Sequence, residues 1–174
     1  MPVDSKMVHF ILPGQPIGKP KLFNRATGFG YNDKQTINYM HALGTMAKAA
    51  MGRRRPFEDA VRIEVLAIYE IPASWPRYKR ADAAVGSVLP TGPPDCDNVL
   101  KTLGDACKGI VWRDDALITD IIIRKRYGAR PALDVVVCPV ESHKLESGDS
   151  LPLFLSSEES SVQENKGVER AADR

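Results

Sequence analysis

The stretch between residues 95 and 110 carries apolar side chains at the spacing of a helix with one buried face. These side chains belong to Cys96, Val99, Leu100, Leu103, Cys107 and Ile110. Their i, i+3, i+4, i+7 pattern predicts an amphipathic helix over residues 95–110. Such a helix must bury its apolar face against another element. Strand-like segments before and after it supply a sheet, so the chain is restricted to folds that mix helix and sheet.

Four other segments have the alternating or β-branched pattern of strands. They are residues 6–12, 60–70, 117–127 and 132–140. The last two are separated by a turn at 128–131, which predicts that they pair as a hairpin. A further helix is predicted from about 33 to 51, capped by Asn32 or Asp33 and ended by Gly52. We therefore expect an α/β fold of the α+β type over residues 1–140, with a small mixed sheet packed by two main helices.

Composition agrees with one globular domain. The chain has 174 residues, of which 43% are hydrophobic and 26% are charged, and this excludes a collagen, a wholly disordered chain and a disulfide miniprotein. Three cysteines, Cys96, Cys107 and Cys138, form no Cys-x-x-Cys pair, so neither a disulfide framework nor a structural zinc site is indicated. No apolar run approaches about 18 residues. We expect a cytoplasmic protein without a membrane partner.

Charge is distributed unevenly along the chain. Of the 24 Lys and Arg and the 22 Asp and Glu, four bases and eight acids lie in residues 141–174. Residues 1–140 therefore have a net charge of +6, which weakly favours a nucleic-acid partner. The acidic end is rich in Ser and Glu and poor in apolar residues, so we predict a disordered tail over 141–174. This tail either solubilises the protein or competes weakly with DNA for the basic surface.

Two predicted loops mix cations with aromatic side chains, a combination that suits phosphates and unstacked bases. The first loop spans residues 13–32, and a solvated connector explains it equally well. The second runs from 71 to 94 and contains Trp75. The candidates for contact with a DNA backbone are Lys19, Lys21, Arg25, Lys79, Arg80, Arg124, Lys125 and Arg126. Three arginines at 53–55 stand where a helix ends, so they either interact with its dipole or contact phosphate.

Acidic residues collect at two places. Asp95 and Asp97 follow two prolines at the predicted helix start, and Asp114-Asp115 follows an apolar run that ends in Trp112. Carboxylates are ligands of hard ions such as Mg²⁺ and leave positions open for water and phosphate. The first two acids can instead cap the helix, an effect of about 0.3–1 kcal/mol. Lys101 can pair with Asp97 for about 0.2–0.5 kcal/mol, or it can face a phosphate.

The residues Pro94-Asp95-x-Asp97-Asn98-x-x-Lys101-x-x-x-Asp105-Ala106, followed by Trp112-x-Asp114-Asp115, resemble the RusA family of Holliday junction resolvases. Proteins of this type often come from phages or prophages. The resemblance implies a small homodimer that binds branched DNA at four-way junctions and serves recombination and repair. It implies paired symmetric nicks made with Mg²⁺ or Mn²⁺ and without an organic cofactor. The implied catalytic residues are Asp95, Asp97, Lys101 and Asp115; the three acids are the implied metal ligands, and Asn98, Asp105 and Asp114 support them.

The sequence departs from the family pattern at two places. The segment between Asp105 and Trp112 is one residue short, and Leu117 stands where glutamine is common.

Two rival functions stay open beside junction resolution. One rival is a non-catalytic protein that binds branched DNA, and the other is a metal-dependent nuclease that prefers flaps or forks. A phosphatase with an Asp-x-Asp nucleophile is disfavoured because Asp95 follows Thr-Gly-Pro-Pro rather than a hydrophobic strand. The three histidines share no spacing, and no role is assigned to them.

Overall fold

The structure is a computed structural model that describes residues 7–19, 22–23, 30–31 and 33–140. Its elements in chain order are β1 (Val8–Pro13), β2 (Leu22–Phe23), β3 (Gly30–Tyr31), α1 (Lys34–Met51), β4 (Val61–Glu70), α2 (Arg77–Ala84), α3 (Cys96–Cys107), a 3₁₀ helix (Asp115–Leu117), β5 (Ile118–Gly128) and β6 (Ala132–Pro139). Four strands form one sheet in the order β1-β6-β4-β5, and β2 pairs with β3. The predicted α+β class is confirmed.

The predicted tail and the predicted loop from 71 to 94 have different outcomes in the structure. The predicted tail at 141–174 lies outside the described residues, as do Lys21 and Arg25. The loop predicted from 71 to 94 contains the short helix α2. That helix escaped prediction because its eight residues are mostly polar and show no apolar stripe. No helix in the described ranges is long and apolar enough to cross a membrane.

The predicted hairpin of the last two strands is wrong. β5 pairs in parallel with β4, and β6 pairs antiparallel with both β4 and β1. Leu133, Val135 and Val137 give β6 a side that is at most 1% exposed, which suits the middle of the sheet. β5 instead carries Arg124 and Arg126 and lies at the edge, where charged side chains discourage further pairing. The chain between β4 and β5 forms the long crossover that parallel neighbours require.

Helices α1 and α3 pack on one face of the sheet. Leu43 and Ala47 of α1 and Val99 and Leu103 of α3 are fully buried in a common core with the strands. The two helices come close at Gly44, where a Cβ atom would lie 3.2 Å from the carbonyl oxygen of Ala106. Because α3 buries one side in this core, its other side faces solvent.

Helix α1 begins at the N-cap that the sequence predicts. Asp33 Oδ1 accepts a hydrogen bond from the backbone N–H of Thr36 at 2.7 Å, and Gly52 ends the helix with a φ of 59°. The hydrogen bonds from Thr36 favour the charged carboxylate, so they lower the pKa of Asp33 below its ordinary value of 3.8. The cap therefore makes the stability of the fold depend on pH.

We expect Asp33 to stabilise the fold above pH 3.8, its ordinary pKa, and to lose this contribution as the pH falls through its lower folded-state pKa. Asp33→Asn should keep most of the cap at neutral pH, since asparagine is also a good N-cap. Its free energy of unfolding should lack the decrease at acid pH that protonation of Asp33 causes. Urea unfolding of both proteins between pH 7 and pH 3 measures the difference, and two parallel stability curves would contradict it.

Candidate active site

The exposed side of α3 carries most of the residues that the sequence singled out. Asp97, Lys101, Asp105 and Lys108 recur every three or four residues and are all exposed. Residues at this spacing lie along one face of a helix. We call this row the α3 stripe. It is the side of the helix away from the buried Val99 and its neighbours, so the charged residues do not serve the core.

Two acids stand at the start of α3, and they differ in their contacts. Asp95 occupies the N-cap position, yet its side chain makes no capping hydrogen bond. Asp97 accepts a hydrogen bond from Lys101 Nζ at 2.8 Å. More than half of each side chain in this pair is exposed, so the pair contributes about 0.3–0.5 kcal/mol. Capping therefore does not explain Asp95, and Lys101 is not tightly held.

Asn98 links the first turn of α3 to the segment that follows β1. Its backbone carbonyl accepts hydrogen bonds from the backbone N–H of Lys19 at 3.1 Å and from Thr102 Oγ1 at 2.9 Å. Its side-chain Oδ1 is buried and has no hydrogen-bond partner among the described residues. Because a buried polar atom normally has a partner, this amide oxygen is available to a ligand.

The side chain of Lys19 contacts the α3 stripe. Its Nζ is 2.5 Å from Asp105 Oδ2. At the preceding residue, Gly18, a Cβ atom would lie 2.5 Å from Cβ of Pro94 and 2.9 Å from Cβ of Asn98. Residues 14–19, which we call the strap, therefore reach the start of α3 at Gly18 and Lys19. Lys19 is a predicted DNA contact, and its contact with α3 was not predicted; Gly18, which permits the close approach, was the available signal in the sequence.

Gly18→Ala is expected to lower the free energy of unfolding by about 1–3 kcal/mol, the usual cost of adding a methyl group where there is no room. Gly92→Ala is the matched control, because a Cβ atom there meets nothing within 4 Å. Denaturant unfolding of the two variants measures the difference. Equal stability of both variants would show that the strap does not press on α3.

Asp115 is held from the core side. Trp112 is fully buried, and its indole Nε1–H donates to Asp115 Oδ1 at 2.8 Å. A Cβ atom at Gly104 would lie 3.6 Å from Asp115 Oδ2, so the carboxylate rests against α3 at that residue. Burial, together with the negative charge of Asp115, raises the pKa of the Cys107 thiol to about 12. Cys107 is therefore a neutral, unreactive neighbour.

Asp114 has different partners from Asp115. It accepts a hydrogen bond from the backbone N–H of Ala116 at 3.0 Å and thereby caps the 3₁₀ helix. Its Oδ2 lies 2.6 Å from Lys108 Nζ. The hydrogen bond between them raises the pKa of Lys108 and lowers that of Asp114. Lys108 was not among the predicted site residues, although its position three residues after Asp105 places it on the same side of α3.

The three predicted metal ligands do not form one assembled cluster. Asp97 and Gly104, where Asp115 rests, are seven residues apart, or about 10 Å along the helix axis. Over the described ranges, no three His, Cys, Asp or Glu side chains are grouped so that they could hold a metal ion. The donor chemistry nevertheless fits, because carboxylates and the amide oxygen of Asn98 are the ligands that hard divalent cations take. A centre shared by Asp95, Asp97 and Asp115 stays a prediction.

Of the basic residues predicted to contact DNA, Lys125 has partners within the protein. Its Nζ donates to the carbonyl oxygens of Gly92 at 2.5 Å and Pro94 at 2.9 Å, so it holds the loop that leads into α3. Arg124 and Arg126 are its neighbours on β5, paired with residues of β4 that alternate with the buried ones. Successive side chains of a strand point to opposite faces. The two arginines therefore project from the sheet face opposite α3.

Lys79 and Arg80 lie on helix α2, beside β5. Lys79 Nζ is 3.9 Å from the ring centre of Trp75, and Trp75 packs edge-on against Tyr127 with ring centres 5.2 Å apart. A cation and aromatic rings thus form one cluster, as the composition of this segment suggested. Contact of DNA with Lys79, Arg80 and the other candidate cations stays a prediction.

The fold and the α3 stripe define a small α+β protein that presents carboxylates and lysines together on one exposed helix face. Residues 13–138 match the family described as Endodeoxyribonuclease RusA, and the chain belongs to this family. The resemblance seen in the sequence is confirmed, and the protein is an endodeoxyribonuclease. The family acts on branched DNA junctions.

A curated relative shows how far the likeness extends. The uncharacterized protein YqaN of Bacillus subtilis (strain 168) is 23% identical to this chain over 139 residues. The match covers 78% of this chain and 98% of YqaN. The similarity therefore runs through nearly the whole relative and is not confined to the acidic motif.

Proposed function

We propose that this protein resolves Holliday junctions by cutting two opposed strands symmetrically, with Mg²⁺ or Mn²⁺, in DNA recombination and repair. The observation that carries the proposal is the α3 stripe, in which Lys101 lies between Asp97 and the point where Asp115 rests on the helix. Family membership supports the nuclease activity, and the stripe supplies residues suited to a phosphodiester.

The proposed division of labour follows from the contacts of each residue. Asp95, Asp97 and Asp115 would hold one or two divalent cations, which when bound would polarise a phosphate and lower the pKa of water. Lys101 would leave its weak pair with Asp97 and offset the negative charge that develops on the phosphate, an effect that is often the largest in catalysis. Asn98 would position the first turn, where its backbone carbonyl accepts hydrogen bonds from the strap and from Thr102.

The proposal includes a homodimer, because a four-way junction has approximate two-fold symmetry and each of two opposed strands needs its own site. Lys79 and Arg80 on α2 are proposed to contact the DNA backbone. Contacts of this kind release counterions, so junction affinity should fall steeply as the salt concentration rises. Gel filtration and binding at several salt concentrations measure both properties.

Cleavage of labelled synthetic DNA tests the proposal. A four-way junction, a fork, a flap and a linear duplex should be compared over a Mg²⁺ titration and in EDTA. We expect paired nicks in opposed strands of the four-way junction and no product in EDTA. Equal cleavage in EDTA would refute metal dependence. Preference for the flap or fork would favour the second nuclease hypothesis, and binding without cleavage at any Mg²⁺ concentration would favour the non-catalytic one.

A further inference from the structure

We propose that Trp112 is a positioning residue of the active site, whose indole N–H holds the Asp115 carboxylate in the direction needed to bind a divalent cation. This inference rests on the proposed function, because it takes Asp115 as a cation ligand. It goes further by assigning a role to a core side chain that touches neither DNA nor cation. The two side chains meet through the 2.8 Å hydrogen bond from Nε1 to Oδ1.

The backbone around Trp112 leaves the indole little freedom. The Trp112 carbonyl accepts a hydrogen bond from the backbone N–H of Gly109 at 2.7 Å, and the residue pairs in single bridges with Phe57 and with Lys108. The ring itself is fully buried in the core. A side chain in these conditions cannot change rotamer without disturbing its neighbours. The donor therefore points in one direction.

The carboxylate of Asp115 is confined on a second side. It lies against α3 at Gly104, where the ideal Cβ position is 3.6 Å from Oδ2 and 3.7 Å from Oδ1. The indole takes Oδ1, and Oδ2 has no hydrogen bond to any described residue. Asp114, the adjacent acid, is directed to Lys108 and to its own capping bond instead. Of the two neighbouring carboxylates, the core therefore orients Asp115 and leaves it one oxygen for a ligand.

The chemical reason to retain this bond is orientation. Groups that hydrogen-bond to metal ligands set the ligand's direction and basicity, and their loss typically weakens metal affinity or activity by about 10–100-fold. An indole N–H has a single tautomer and can only donate. It therefore always presents a proton to the carboxylate oxygen. Trp112 is fixed by the core, and it thereby fixes the direction of the Asp115 carboxylate.

Trp112→Phe removes the donor while it keeps an aromatic ring. We expect its affinity for Mn²⁺, measured by calorimetry without DNA, to be about 10–100-fold weaker than that of the wild type. The Mg²⁺ concentration for half-maximal cleavage should rise in parallel. Phe10→Leu is the matched control: it also truncates a buried aromatic residue, 4% exposed, but lies on β1 away from Asp115. Its Mn²⁺ affinity should equal that of the wild type.

A second measurement covers the case in which Trp112→Phe fails to fold. Substitution of Trp112 by benzothienylalanine preserves the ring shape and replaces N–H by sulfur, and it should show the same loss of Mn²⁺ affinity. The chain has two tryptophans, so Trp75→Phe leaves Trp112 as the sole tryptophan, whose emission is measured by excitation at a wavelength that tyrosine does not absorb. Mn²⁺ should then change its fluorescence, and Asp115→Asn should abolish that change.

The outcomes separate this inference from the function on which it rests. Wild-type Mn²⁺ affinity in both Trp112 variants would overturn the positioning role while metal-dependent cleavage stands. A wild-type protein that neither binds Mn²⁺ nor cuts a junction in Mg²⁺ would instead overturn the proposed function, and the positioning role with it.

Discussion

Asp97→Asn is expected to slow cleavage of a four-way junction by more than about 10³-fold, since several kcal/mol of charge stabilisation depend on the ligands of a catalytic metal ion. The substitution preserves the shape of the side chain and removes its charge. Asp97 is exposed on the α3 stripe, so the free energy of unfolding should barely change. Junction affinity in EDTA should stay within a few-fold of the wild type, because the residues proposed to contact the DNA backbone are unchanged.

The matched control for this experiment is Asp59→Asn. Asp59 is also exposed, and it lies before β4 rather than on α3. Single-turnover cleavage should match the wild type in this variant. Near wild-type cleavage by Asp97→Asn would remove Asp97 from the metal site, and a joint loss of cleavage and affinity would indicate a role in DNA binding instead.

Lys101→Gln is expected to lower the rate of cleavage at saturating junction by about 10²–10³-fold, the usual cost of removing one group that stabilises transition-state charge. The same change should alter stability by no more than about 0.5 kcal/mol, because its ion pair with Asp97 is mostly exposed. Measuring kcat and KM separately tests the role. A Lys101 that acts in the reaction affects kcat, whereas one that only attracts DNA affects KM.

Two further variants complete the test of Lys101. Lys101→Arg keeps the positive charge and should recover part of the lost rate, although a planar guanidinium does not reproduce a compact ammonium group. Lys34→Gln, at the exposed first residue of α1, should behave as the wild type. A Lys101→Gln protein with unchanged kcat would limit this lysine to its surface pair.

Features that depend on near neighbours in the chain were predicted well from the sequence. Helix α1, predicted from 33 to 51, is found at Lys34–Met51 with Asp33 as its cap. Helix α3 and its exposed acids follow from the 3.6-residue period, since residues three and four apart share a face. Specific residue types at fixed spacing around Asp95 and Asp115 also led to the family.

Relations between distant parts of the chain could not be obtained in this way. The last two strands were expected to pair because they are neighbours in sequence, yet β4 lies between them. Lys125 was grouped with Arg124 and Arg126 as a DNA contact, yet it bonds to the loop before α3. Sequence spacing gives the period of a strand, but it does not give the partner that each face will meet.

Local patterns in the amino-acid order thus account for helices α1 and α3, the cap of α1, most strand segments and the kind of chemistry this chain carries. Strand order, the contact of the strap with Asn98, and the hydrogen bond between Trp112 and Asp115 arose from packing. The reason is physical: helix periods and caps are properties of a few consecutive residues. Contacts across the fold are selected by the shared burial of many residues, and no short window of sequence contains that competition.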